Sequence, residues 1–116
     1  MPDNIDLDFL TGVMLMQVCI GANDIILRFQ NQISVNMQTD IAHRNATGDI
    51  TALYKSLPAA AQMLVGFLHH KIEKAVVVDA STLRLIFSSG ESIEIYDTSA
   101  QYESYQIRYA DKVIVV

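Results

Sequence analysis

The sequence predicts one α+β domain spanning residues 1–116, with two repeated antiparallel three-stranded meanders forming a sandwich or half-open barrel and two short linking helices. Three observations predict it. The chain matches itself 58 residues apart without a gap: residues 9–37 against 67–95 give seven identities, and six further positions are apolar in both copies. Within each copy, apolar and polar residues alternate with the period of two that a half-buried strand requires. Between the copies lies a stretch rich in helix formers. The repeat covers about 9–40 and 67–98, and the helical link about 49–69.

The elements follow in order. Residues 1–8 hold Pro2, Asn4 and three aspartates and read as a loose arm. Val13 to Ile20 is a mostly apolar strand, and Gly21 to Asp24 a turn. Ile25, Leu27 and Phe29 alternate with Ile26, Arg28 and Gln30, and after Asn31 and Gln32 the same alternation runs from Ile33 to Gln38. His43 to Asp49 is polar, contains Gly48 and reads as a loop. Asp49 is placed to cap a helix from Ile50 to about Ser56, and Pro58 suits the first turn of a second helix whose Leu64, Phe67 and Leu68 share a face.

In the second copy, Lys71–Val78 and Leu83–Phe87 read as strands. Ser88-Ser89-Gly90 reads as a hairpin connection in which Gly90 supplies a left-handed residue, and Asn31 takes that role in copy one. Ser92–Tyr96 follows as a strand. Only this copy continues into two further strands, Tyr102–Tyr109 and Lys112–Val116, the last ending in an apolar run that belongs in a sheet.

Composition excludes several functions. The chain is 51% hydrophobic and 18% charged, enough for a core and too little charge for disorder. The net charge of −5 is spread over both halves, with three basic and six acidic residues in 1–58 and five and seven in 59–116. That disfavours nucleic acid, whose binding depends on neutralising phosphates. It suits a basic protein partner. One cysteine excludes an internal disulfide, the acidic start lacks the charge of a signal peptide, and no apolar run is long enough for a membrane helix. A cytoplasmic protein without cofactor is expected.

Candidate sites are few. His69 and His70 are adjacent, so on a helix they point about 100° apart and do not share a metal without a third ligand such as His43. Cys19 matches an apolar residue in the repeat and reads as a buried, inert thiol. No nucleophile–base–acid order and no glycine-rich phosphate loop is present, so an enzyme using His43, His69 or His70 with a carboxylate is the least favoured reading. The carboxylates Glu91, Glu94, Asp97 and Glu103 cluster, either as a solvated acidic face or as a patch that docks a basic protein. Tyr105, Ile107 and Tyr109 fall on a core-facing phase. Tyr102, on the other phase beside Glu103, is a candidate interface anchor. Ile26 and Ile86 lie on the outward phase of their strands and need a cover, either the helices or another chain. They also break the repeat, because Ile26 matches Arg84 and Arg28 matches Ile86.

The stretch from Phe9 through Met37, with Leu10, Gly12, Ile20, Gly21, Leu27 and Phe29, resembles the first half of a group of small bacterial β-rich proteins. Leu85, Phe87, Gly90, Ile93 and Tyr102-Glu103-Ser104-Tyr105 resemble the second half. Such proteins are similar to the immunity proteins that accompany bacterial polymorphic toxins. The resemblance implies a β-rich fold and an immunity role, and brings no catalytic residue with it. The expected function is therefore a non-enzymatic protein-binding module that blocks a cognate toxin by occlusion through Glu91, Glu94, Asp97, Tyr102 and Glu103. A self-associating homodimer is the alternative.

Overall fold

The computed structural model describes residues 6–55, 57–79, 82–96, 105–109 and 112–115. Two five-stranded antiparallel sheets enclose one core. The strands are β1 (Leu15–Ile20), β2 (Ile25–Phe29), β3 (Ile33–Met37), β4 (Ile41–Arg44), β5 (Ile50–Tyr54), β6 (Ile72–Asp79), β7 (Thr82–Phe87), β8 (Ser92–Tyr96), β9 (Tyr105–Tyr109) and β10 (Lys112–Val115). One α-helix, α1 (Leu57–Val65), joins β5 to β6. The first sheet has the order β1-β2-β3-β9-β10 and the second β5-β4-β8-β7-β6. Each half of the chain thus gives a meander to one sheet and a hairpin to the other.

This corrects the expected α+β class with two linking helices. Among the described residues the fold is mostly β, with a single α-helix and one 3-10 turn at Asp8–Leu10. The segment from Ile50 that should have been the first helix is β5, and the expected loop His43 to Asp49 begins with the last two residues of β4. The turn between them decides the outcome. Asn45 Oδ1 accepts hydrogen bonds from the Thr47 amide (3.1 Å), the Thr47 hydroxyl (2.7 Å) and the Asp49 amide (3.0 Å). Gly48 adopts a φ of +93°. This side-chain-stapled turn reverses the chain and delivers Ile50 onto β4, so Asp49 ends a loop rather than capping a helix. A bulge at Thr51 then places Ile50 opposite Arg44 and Leu53 opposite Ala42, both on the outward face.

The repeat is real in space, with a one-residue slip. Leu15 pairs with Phe29, and Ile72 with Phe87. The equivalents on β1 and β6 are therefore 57 positions apart (72 − 15), whereas those on β2 and β7 are 58 apart (87 − 29). The extra residue is a bulge at Val78 near the end of β6, where the pairing steps from Val77–Leu83 to Asp79–Thr82; five residues separate the paired Val77 and Leu83 but four separate Ile20 and Ile25. With this offset the two copies make mirrored bonds. The Gly12 amide donates to the Ile72 carbonyl (2.7 Å) and the His69 amide to the Leu15 carbonyl (2.8 Å). The Leu15 amide reaches the His70 carbonyl (3.0 Å) and the Ile72 amide the Val13 carbonyl (2.9 Å). Met14 and Lys71, equivalent to each other, form the bridge between the sheets, so the pseudo-twofold axis passes through that pair. Gly12 (φ +84°) and His69 (φ +67°) are also equivalents, and both are left-handed.

The core is built from matched positions: Leu7 with Leu64, Leu10 with Phe67, Leu15 with Ile72, Leu27 with Leu85, Phe29 with Phe87 and Val35 with Ile93. Burial of these side chains, each contributing about 1.5–3 kcal/mol, drives the two sheets together. Ala60, Ala61 and Leu64 of α1 join this core. The helix packs against β1, β4 and β5. Ile26 and Ile86 are half-buried and line clefts on the outward faces of the two sheets.

Candidate functional site: a buried carboxylate between two arginines

The outward face of the second sheet carries the main charged cluster among the described residues. Glu94 sits on β8, the central strand, opposite Arg84 on β7 and Ala42 on β4. Arg44 lies one register step along β4, opposite Ser92. Both guanidiniums turn onto the Glu94 carboxylate. Arg44 Nε donates to Oε1 (2.5 Å), and Arg84 donates to Oε2 through Nη2 (3.0 Å) and Nε (3.3 Å). Tyr96 Oη donates to Oε1 (3.3 Å). Arg44 is anchored from behind, its Nη1 donating to the Gly48 carbonyl (2.5 Å) in the stapled turn.

Glu94 is 2% exposed, although its strand position faces away from the core. Burial pushes its carboxyl pKa up, but the hydrogen bonds and charges of Arg44 and Arg84 outweigh burial and hold it below the ordinary value of 4.5. Burial, followed by the neighbouring Glu94 charge, raises the Tyr96 phenol above its ordinary value. One carboxylate against two guanidiniums leaves a single positive charge at the centre of the face. Beside it lies a cleft of about 300 Å³ lined by Arg44, Arg84, Ile86, Ser92 and the 45–48 turn.

The expected acidic patch is therefore corrected at Glu94: the carboxylate is not solvated, and its acceptor capacity is used by its own arginines. Glu91 lies at the β7–β8 turn, its side chain 41% exposed and 3.8 Å from His43 Nε2. Asp97, Tyr102 and Glu103 lie outside the described residues. Tyr105 and Ile107 are buried as the alternation implies, while Tyr109 is partly exposed and stacks on Phe9 with ring centroids 4.5 Å apart. Cys19 is corrected too: it is half-buried on the outward face of β1, opposite Ile26, rather than in the core.

The histidines do not converge on one atom. His69 is exposed at a helix-terminal turn. The Phe67 ring stands against both His43 (centroids 5.8 Å) and His70 (5.9 Å). His43 Nδ1 bonds the Thr51 hydroxyl, which places hydroxyl, imidazole and the Glu91 carboxylate in a row. The 3.8 Å separation from Glu91 exceeds hydrogen-bond range, so the carboxylate does not orient the imidazole as a catalytic triad requires. Among the described residues, no group of three or more His, Cys, Asp or Glu side chains is arranged to hold a metal.

No protein family, curated protein or solved structure matches this chain. The site must be read from its own chemistry. Among the described residues, no helix is long and apolar enough to cross a membrane. The cluster was half legible in the sequence. Glu94 was singled out, and the exchanged pair Arg84/Ile26 was visible as a break in the repeat. Arg44 was not found, because it lies in a strand that read as loop.

Proposed function

We propose that this protein is a non-catalytic protein-binding module, most concretely an immunity protein that occludes a cognate bacterial toxin. The observation that carries the reading is the pair Ile50 and Leu53. Each is 52% exposed, and both lie on the outward face of the second sheet beside the Glu94–Arg44–Arg84 cluster. Apolar side chains presented on a rigid strand next to fixed charges combine burial energy with orientation, the usual makeup of an interface centre. The net charge of −5 favours a basic partner and steers its approach. Glu94 contributes by holding the two arginines in place, and Glu91 remains available at the rim.

The test is co-purification with the product of the adjacent gene and rescue of growth when that product is expressed. Leu53→Asp should cost about 2 kcal/mol of binding or more, while leaving the fold intact because the side chain is exposed. A neighbour that is harmless and does not bind would refute the immunity role.

A second reading is self-association. Strand β5 is the edge of its sheet and is apolar, and an unpaired edge is a template for a second copy. Light scattering separates the two readings: a monomer at all concentrations removes the second.

A further inference from the structure

The pseudo-twofold axis carries the Glu94 cluster onto the outward face of the first sheet, and there the carboxylate is missing. The position equivalent to Glu94 is Asn36 on β3, and Ser92 becomes Ser34. Arg108 on β9 pairs with Ser34 as Arg44 on β4 pairs with Ser92. Arg28 on β2 flanks β3 from the other side, opposite Ser34, one register step from the place Arg84 holds in the second sheet. Both faces thus set two arginines on the strands either side of a central strand. In one the pair closes on a built-in carboxylate; in the other it does not.

Arg28, Arg108, Ser34, Asn36 and Ile26 line one cleft of about 320 Å³. Neither arginine forms an ion pair among the described residues. The outward strand positions of this sheet carry no Asp or Glu (Gln17, Cys19, Ile26, Arg28, Ser34, Asn36, Gln106, Arg108 and Val113), despite the acidic chain. Asn36 Oδ1 is buried and has no hydrogen-bond partner among the described residues. Unpaired buried amide oxygens are rare.

We propose that this cleft is an anion site whose ligand is a carboxylate, held by Arg28 and Arg108 with the Ser34 hydroxyl and the Asn36 amide in support. The choice of carboxylate follows from Glu94, which shows this scaffold already accommodating one between two guanidiniums. Guanidinium–carboxylate bonds are charge-assisted and directional, which suits a ligand arriving from outside. The carboxylate comes either from a small free acid or from an acidic side chain of a protein.

The test is titration of the ¹⁵N-labelled protein at fixed ionic strength with acetate, with an oligoglutamate peptide, and with phosphate and chloride as competitors. The Nε–H signals of Arg28 and Arg108 are followed. Saturable shifts of both with acetate and peptide are expected. They should weaken about tenfold or more in Arg28→Gln and Arg108→Gln, and vanish in Asn36→Glu, which installs the carboxylate internally. A peptide that binds about tenfold tighter than acetate, beyond what its number of carboxylates gives, assigns the carboxylate to a protein side chain; equal affinity per carboxylate assigns it to a free acid. Shifts that track salt alone, tighter binding of phosphate, or undiminished binding in the two arginine variants would overturn the proposal.

Discussion

Across β8, Arg44 and Arg84 meet over the carboxylate of Glu94; across β3, Arg108 and Arg28 stand on either side of Ser34 and share a cleft with Asn36. The two faces share one five-strand arrangement, with serine and arginine at matched positions. They differ at the central residue and in where the second arginine sits. Ile26 and Arg28 stand where the other face has Arg84 and Ile86, so the arginine on the inner strand moves one step along while the outer one stays. An internal ligand turns the second face into a locked structural element. Its absence leaves the first face with positive charge to spend. A duplicated scaffold can in this way divide its tasks, one face fixed and the other open.

The largest effect that could break this comparison comes from removing the internal ligand. Glu94→Ala should destabilise the protein by about 2–3 kcal/mol in urea unfolding, because two guanidiniums lose their partner, though both retain some solvent. Glu94→Gln should lose less, since the amide still accepts. A loss below about 0.5 kcal/mol for the alanine variant would place Glu94 among ordinary surface ion pairs.

The pH dependence follows from the same group. The folded-state pKa of Glu94 lies below its ordinary value of 4.5, so the unfolded chain binds this proton more readily than the folded one. The stabilisation is complete above about pH 4.5 and is lost as the pH falls through the lowered folded value. The difference between wild type and Glu94→Gln in unfolding free energy should shrink across that acid window and stay flat from about pH 6 to 8, where Glu94 is ionised in both folded and unfolded chains. A difference that instead grows with acid would reverse the assigned sign.

The reciprocal change sharpens the comparison from the other side. Asn36→Glu should stabilise the protein by about 1 kcal/mol by giving Arg28 and Arg108 the partner their counterparts have. The gain is smaller than the loss at Glu94 because Arg28 and Arg108 are exposed. Salt should reduce it, since exposed pairs are screened. No gain in low-salt urea unfolding would mean that the two arginines do not converge over β3.

What the sequence disclosed follows the range of the interactions. The alternation of Ile25, Leu27 and Phe29, and of Leu83, Leu85 and Phe87, is local and marked the inward faces. The anomaly at Ile26/Arg84 and Arg28/Ile86 was also visible, and it lies on the two clefts. The exchange of hairpins between sheets was not visible, because nothing local to β4 or β9 names its partner strand. Asp49 before Ile50 reads as a helix cap, but the Asn45 side chain takes the Asp49 amide into a turn, and that turn sets the pairing of β5. Nothing local to β4 places Arg44 opposite Ser92, so from sequence alone the outward phase of Glu94 reads as solvated. The slip from 58 to 57 was hidden as well, since Val18 matches Val76 by identity while its spatial equivalent is Ala75.

The smallest effect concerns the turns that set the two registers. In copy two, Gly90 is left-handed (φ +89°) and its amide bonds the Phe87 carbonyl (2.9 Å). In copy one, Asn31 (φ +64°) and Gln32 (φ +61°) are both left-handed, which is a type I′ turn with the favoured asparagine but without the favoured glycine. A left-handed residue with a Cβ costs about 1–2 kcal/mol, and glycine returns about 0.5–1 kcal/mol to the unfolded chain as entropy. Gln32→Gly should therefore stabilise by about 0.5 kcal/mol in urea unfolding. His69→Gly, at the equivalent of Gly12, should follow the same balance, less whatever contacts the exposed imidazole makes. If Gln32→Gly destabilises instead, the β2–β3 turn is held by contacts of the Gln32 side chain, and the two copies set their registers by different means.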